Sequence, residues 1–139
     1  MNEPLVMLEM LGGRGHAPRT LAVVGLSDDP AKASYAVSAY MQGQGYRILP
    51  VNPGVESALG ERSYPSLSEL PVRPDVVNVF RLPKAIPAIV DEMLALGLEN
   101  LWVQLGIRNE AAAQTAEAGG IHVVMDRCIM VEHMRWMRG

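Results

Sequence analysis

Five short apolar runs punctuate the chain, at Leu21–Val24, Arg47–Val51, Val76–Phe80, Leu101–Leu105 and His122–Met125. Each is continuous, not alternating, and rich in Val, Ile or Leu, which is how strands covered on both faces of a parallel sheet read. Between them the apolar positions switch to helical spacing. Ala36, Val37, Tyr40 and Met41 share a face of the segment from Tyr35 to Gln44. Ile86, Ile89, Val90, Met93, Leu94 and Leu96 do the same from Ile86 to Leu96, with Gly97 as a C-cap, and the alanine-rich Glu110–Ala118 stops at Gly119-Gly120. Strands alternating with helices predict an α/β fold: a Rossmann-like parallel five-stranded sheet between two helical layers, with right-handed crossovers. Leu5–Leu11 adds a short helix before a Gly-Gly-Arg-Gly-His linker, and Cys128–Trp136 reads as a closing helix. The expected organisation is an N-terminal helix and linker at 1–19 and one domain at 20–139.

In open parallel sheets, ligands sit beyond the carboxyl ends of the strands, where the strand order reverses. That directs attention to the loops at 25–33, 51–54, 81–84, 106–109 and 126–128. The first is the most informative. Gly25 lets the chain turn off its strand, and Ser34 is a good N-cap for the helix that follows. Free amides at that helix start suit a phosphate, with Ser27 and Lys32 adding a hydroxyl and a positive charge. The bland alternative, a plain turn beside a solvated lysine, is about equally favoured by the loop alone. A standard NAD site is disfavoured: G-x-G-x-x-G is missing, and the second strand ends Pro50-Val-Asn-Pro53 with no carboxylate for a ribose. A phosphorylated receiver is disfavoured too, because the third strand ends Asn78-Val-Phe-Arg81 without an aspartate.

Composition narrows the partners. A chain of 139 residues, 49% apolar and 19% charged, is long enough for one cored domain. Its net charge of −3 offers no footprint for nucleic acid or an anionic membrane, so a phosphorylated ligand needs local donors. No apolar run approaches the roughly 20 residues that span a bilayer. A single cysteine, Cys128, excludes an intrachain disulfide and suits a reducing compartment, so a cytoplasmic location is expected. His16, His122 and His133 lack zinc-ligand spacing, so no metal is expected. No catalytic set is found either, since His133 lies five positions beyond Cys128 and points away from it on one helix. Cys128 itself has two readings. With Asp126 as N-cap it falls in a first helical turn beside Arg127, where a thiolate is favoured and a thiol switch is conceivable; otherwise it is a small packing residue.

From Thr20 to Arg138 the chain resembles the small stand-alone CoA-binding proteins, relatives of the nucleotide-binding domain of the succinyl-CoA synthetase α chain. The matching stretches, in order, are Val24-Gly-Leu-Ser27 with Pro30, Lys32 and Ser34-Tyr35; Gly45-Tyr46 with Pro50-Val-Asn-Pro53; Asp75-Val-Val-Asn-Val-Phe-Arg81 with Pro83; Trp102-Val-Gln-Leu-Gly-Ile107; and Asp126-Arg-Cys-Ile-Met-Val-Glu-His133. The resemblance implies coenzyme A as the cofactor. Gly25, Leu26, Ser27 and Lys32 would cradle its pyrophosphate, and Val51, Asn52 and Pro53 would wall the adenosine, with Asn52 supplying polar contacts. Phe80, Arg81 and Pro83 would line the opposite side, and Gln104, Gly106 and Ile107 would face the pantetheine path. Relatives often carry a basic residue after Val-Asn-Pro, where the 3′-phosphate would lie; here that position is Gly54. The expected function is CoA or acyl-CoA binding without catalysis, as a carrier, sensor or thiol-redox responder. The alternatives are a subunit of an acyl-CoA ligase-type enzyme or an NAD(H)-binding redox sensor, and the expected protein partner is a second copy or an enzyme subunit.

Overall fold

A computed structural model describes all 139 residues. Strands β1 (Thr20–Val24) and β2 (Arg47–Val51) are joined by helix α2 (Ala33–Gly43). A small antiparallel hairpin follows, β3 (Ser57–Ala58) and β4 (Glu61–Arg62), then β5 (Val76–Val79), α3 (Ile86–Leu96), β6 (Asn100–Val103), α4 (Glu110–Ala118), β7 (His122–Met125) and α5 (Ile129–Arg138). Helix α1 (Pro4–Leu11) precedes them all. The five long strands are parallel in the order β2-β1-β5-β6-β7.

The continuous apolar runs are buried on both faces, as their pattern predicts. Leu21 and Val23 of β1 pack with Met10, Leu11, Val37, Met41 and Ile129, on the side of α1, α2 and α5. Ala22 and Val24 face the opposite way, towards Val90, Met93, Ala112 and Ala116 of α3 and α4. The result is a three-layer α/β/α arrangement in which α1 shares a core with the domain that follows it. Tyr46 reinforces this by donating its hydroxyl to the carbonyl of Leu11, and burial holds its pKa up to about 12.

The boundaries differ from the sequence pattern at strand ends. Phe80, Gln104 and Leu105 lie just past their strands, because β1 turns away at Gly25 and the ladder loses its centre. The hairpin was not expected. Its two-residue strands are too short to show a period, and its turn is made by Leu59 and Gly60, both at positive φ.

Both margins of the sheet are occupied. Beside β2, Tyr64 donates its amide to Pro50 and accepts from Asn52. Beside β7, the Asn2 amide donates to Val123, and its side chain both donates to the Met125 carbonyl and accepts from the Met125 amide.

Candidate functional site

The strand order reverses between β1 and β5, so the switch point lies beyond their carboxyl ends. Gly25 sits there with φ +89°, and a Cβ on it would strike the Phe80 carbonyl and approach the Arg81 side chain. Both the backbone conformation and the close approach require glycine. The turn throws the chain into the loop at 26–32. Leu26 is fully buried, backbone included, and its carbonyl accepts from Asn52 Nδ2 at 3.1 Å.

Within this loop Ser27 Oγ accepts from the Asp29 amide and Asp29 from the Ala31 amide, two local turns that hold the loop against α2. Ser34 is not the N-cap that its type suggests. Helix α2 begins two residues earlier, with exposed Lys32 at the cap position, and the buried Ser34 Oγ instead accepts the amide of Ser27 at 3.0 Å. The consequence is a loop pinned to the helix it enters. The amides of Asp28, Ala33 and Ser34 make no hydrogen bond within the chain. Lys32 and Arg81 are exposed and belong to no ion pair, so two free cations stand by those open donors.

Val51 and Pro53 border the β2 side, Val51 buried and Pro53 exposed. Asn52 is largely committed: besides its bond to Leu26, its Oδ1 accepts the Gly54 amide at 2.9 Å. It shapes the loops instead of presenting a free amide.

Two open grooves flank the switch point. A smaller one, about 250 Å³, is bordered by Val24, Val51, Pro53, Leu67, Arg81 and Ile89 on the α3 side. A larger one, about 550 Å³, brings Phe80, Arg81, Gln104, Ile107 and Cys128 together with Leu82 and Leu105, plus Ala33 and Val37 from α2. Arg81 borders both. Sequence reasoning missed Val37, which reads as an ordinary helix-core position, and missed Leu82 and Leu105, whose neighbours it had singled out. Pro83 and Gly106 are not in either wall. The Pro83 carbonyl accepts from Asn109, the N-cap of α4, and the Gly106 amide donates to Asp126 at 2.7 Å.

That last bond overturns Asp126 as the N-cap of α5. Asp126 adopts φ +61° and turns towards the β6–α4 loop, where the Gly106 amide and Arg108 hold its carboxyl below the usual carboxylate range. Cys128 occupies the cap position instead of the first turn, half-buried in the wall of the larger groove. The free amide of Ile129 is capped from another strand end: Gln104 Oε1 accepts it at 3.0 Å. His133 lies away from this edge, between α2 and α5, sharing a 2.8 Å hydrogen bond with the Tyr40 hydroxyl and edge-on to Tyr46 and Trp136. No three His, Cys, Asp or Glu side chains gather as for a metal, and no helix is long and apolar enough to cross a membrane.

Comparison with known proteins agrees with this geometry. A family model described as a CoA binding domain matches residues 19–134. The uncharacterized protein YneT of Bacillus subtilis is 44% identical over 115 residues, covering 83% of this chain and 85% of that one. The α subunit of an ADP-forming acetate–CoA ligase II from Pyrococcus furiosus is 37% identical over 68 residues, 48% of this chain and 15% of the subunit. Among solved structures, a hypothetical protein from Pyrococcus horikoshii OT3 superposes with a TM-score of 0.87 at 31% identity, covering 99% of this chain and 98% of its own.

Proposed function

Because this chain belongs to the CoA-binding domain family, we propose that it binds coenzyme A across the switch point of its sheet. The observation that carries this reading is the loop after β1: the unpartnered amides of Asp28, Ala33 and Ser34 beside Lys32 and Arg81, packed against Phe80 through Gly25, where the turn and the close approach leave no room for a Cβ. A pyrophosphate matches such a cradle, since backbone donors and a helix start meet its charge without needing a basic protein. The adenosine then lies against Val51 and Pro53, and the pantetheine arm runs past Arg81 into the larger groove. The chain has no chemistry of its own in this reading. It serves as a carrier, a sensor or a partner to an acyl-CoA ligase-type enzyme, the last supported by similarity to the Pyrococcus furiosus ligase subunit.

Titration calorimetry with CoA, dephospho-CoA, ADP and NADH tests it. CoA binds, ADP binds more weakly, and dephospho-CoA matches CoA because Gly54 carries no side chain for the 3′-phosphate. NADH binding more tightly than CoA would overturn the reading.

A second role is favoured by the position of Cys128 in the groove wall at the cap of α5. A CoA disulfide bound there brings its S–S bond within reach of that cysteine, and exchange joins Cys128 to one CoA while releasing the other as a thiol.

A further inference from the structure

The larger groove is apolar along most of its wall, yet it contains one polar side chain that is nine-tenths buried: Gln104, 4% exposed. Its orientation follows from its neighbours. Asn78 Nδ2 donates both to the Trp102 carbonyl at 3.2 Å and to Gln104 Oε1 at 3.1 Å, and the Ile129 amide donates to the same oxygen. Reversing the Gln104 amide would set donor against donor twice, so the oxygen faces inward. Nε2 is left as the side chain's outward polar atom, with no hydrogen bond anywhere in the chain. A buried strand, a neighbouring strand and a helix cap thus combine to hold one N–H donor at the wall of an apolar groove. Nε2 reaches the groove surface, so an acceptor held in the groove can take its hydrogen bond.

We propose that this groove is an acyl subsite, and that the ligand preferred by the chain is an acyl-CoA thioester over free CoA. The inference rests on the CoA reading above and adds the class of ligand. Gln104 Nε2 donates to the thioester carbonyl oxygen, and the acyl chain lies against Leu82, Leu105 and Ile107. Leu82 and Leu105 are each 66% exposed, large apolar side chains at the rim, and an acyl chain covers them. Free CoA offers the donor no thioester carbonyl and leaves that rim wet.

The test compares ADP, CoA, butyryl-CoA, hexanoyl-CoA and S-butyl-CoA, a thioether of the same reach without the carbonyl. Affinity is expected to rise about two- to fourfold per methylene, the upper figure being full burial. Butyryl-CoA is expected to bind about two- to tenfold more tightly than S-butyl-CoA, the worth of one neutral hydrogen bond. Gln104→Glu keeps the inward oxygen but replaces the donor, so it removes the difference between these two ligands. A Leu82→Ala/Leu105→Ala double variant, at exposed positions that do not endanger folding, flattens the chain-length series. Equal binding of CoA and butyryl-CoA overturns the inference while leaving CoA binding intact. So does an equal loss of both in Gln104→Glu, which would assign the donor to a pantetheine amide. If Gln104→Glu fails to fold, the wild-type comparison of butyryl-CoA with S-butyl-CoA and the double variant still decide. Failure of ADP and every CoA species to bind overturns the underlying CoA reading as well.

Discussion

Lys32 and Cys128 are the side chains whose roles are most open to a single substitution. Lys32 stands at the cap of α2 with its ammonium free, so its charge is available to a ligand and contributes little to folding. Lys32→Ala is expected to cost about 1.5 kcal/mol in CoA affinity, roughly tenfold, the lower end for a charge-assisted bond because the lysine is exposed. Calorimetry at low and high salt checks this: the loss shrinks as salt screens the pair, and an unchanged affinity at low salt returns Lys32 to the solvated surface. Cys128 is half-buried, which leaves its sulfur reachable from the groove without making it a surface thiol. With CoA disulfide as oxidant, thiolate exchange joins Cys128 to one CoA and releases the other as a thiol. Intact-mass measurement is expected to show a CoA adduct that dithiothreitol removes, that ADP competes away and that Cys128→Ser lacks. An unmodified wild-type protein would leave Cys128 as a packing residue.

At the scale of elements, α2 and α5 are fastened by the Tyr40–His133 bond within a cluster that also holds Tyr46, Trp136 and the stacked His16. Burial, and the nearby His16, hold the His133 pKa below its ordinary value. The sign follows from linkage. The unfolded chain takes up the proton near pH 6.5 while the folded one resists it, so this contribution is complete above about pH 6.5 and is lost as pH falls below it. Thermal melts from pH 7.5 to 5 are expected to show a decline in the wild type and a flatter one, from a lower start, in His133→Gln. The same slope in both would move the effect to another group. The five strands and α3 and α4 were legible in the sequence because burial on both faces and helical spacing leave strong patterns. The caps were not. Asn109, not singled out by the sequence pattern, caps α4 by accepting the Ala112 amide, whereas Ser34 and Asp126 have the right residue types but bond elsewhere. Their acceptors were claimed by Ser27 and Gly106, partners that only the folded loops bring near. The site was legible in the same measure: Phe80, Arg81, Gln104, Ile107 and Cys128 converge, but the tie of Gln104 to Asn78 and Ile129 crosses three strand ends and leaves no local signal.

Taken whole, the molecule is mildly acidic while its carboxyl edge carries Lys32, Arg81 and Arg127 outside every ion pair. Ligand attraction is therefore a property of that edge and not of the overall charge. The two occupied margins of the sheet bear on assembly in a different way. A bare outer strand is a template on which a second chain can zip, the route to runaway polymers. On one side proline leaves a gap in the row of donors and Tyr64 covers it; on the other, Asn2 imitates a strand by engaging both backbone groups of Met125. Margins occupied in this way leave few free backbone groups for a second chain to pair with. Asn2→Ala unlatches the second margin, and light scattering at rising concentration is expected to report faster aggregation for it than for the wild type. Equal scattering would show that the row of backbone groups on β7 is harmless when bared.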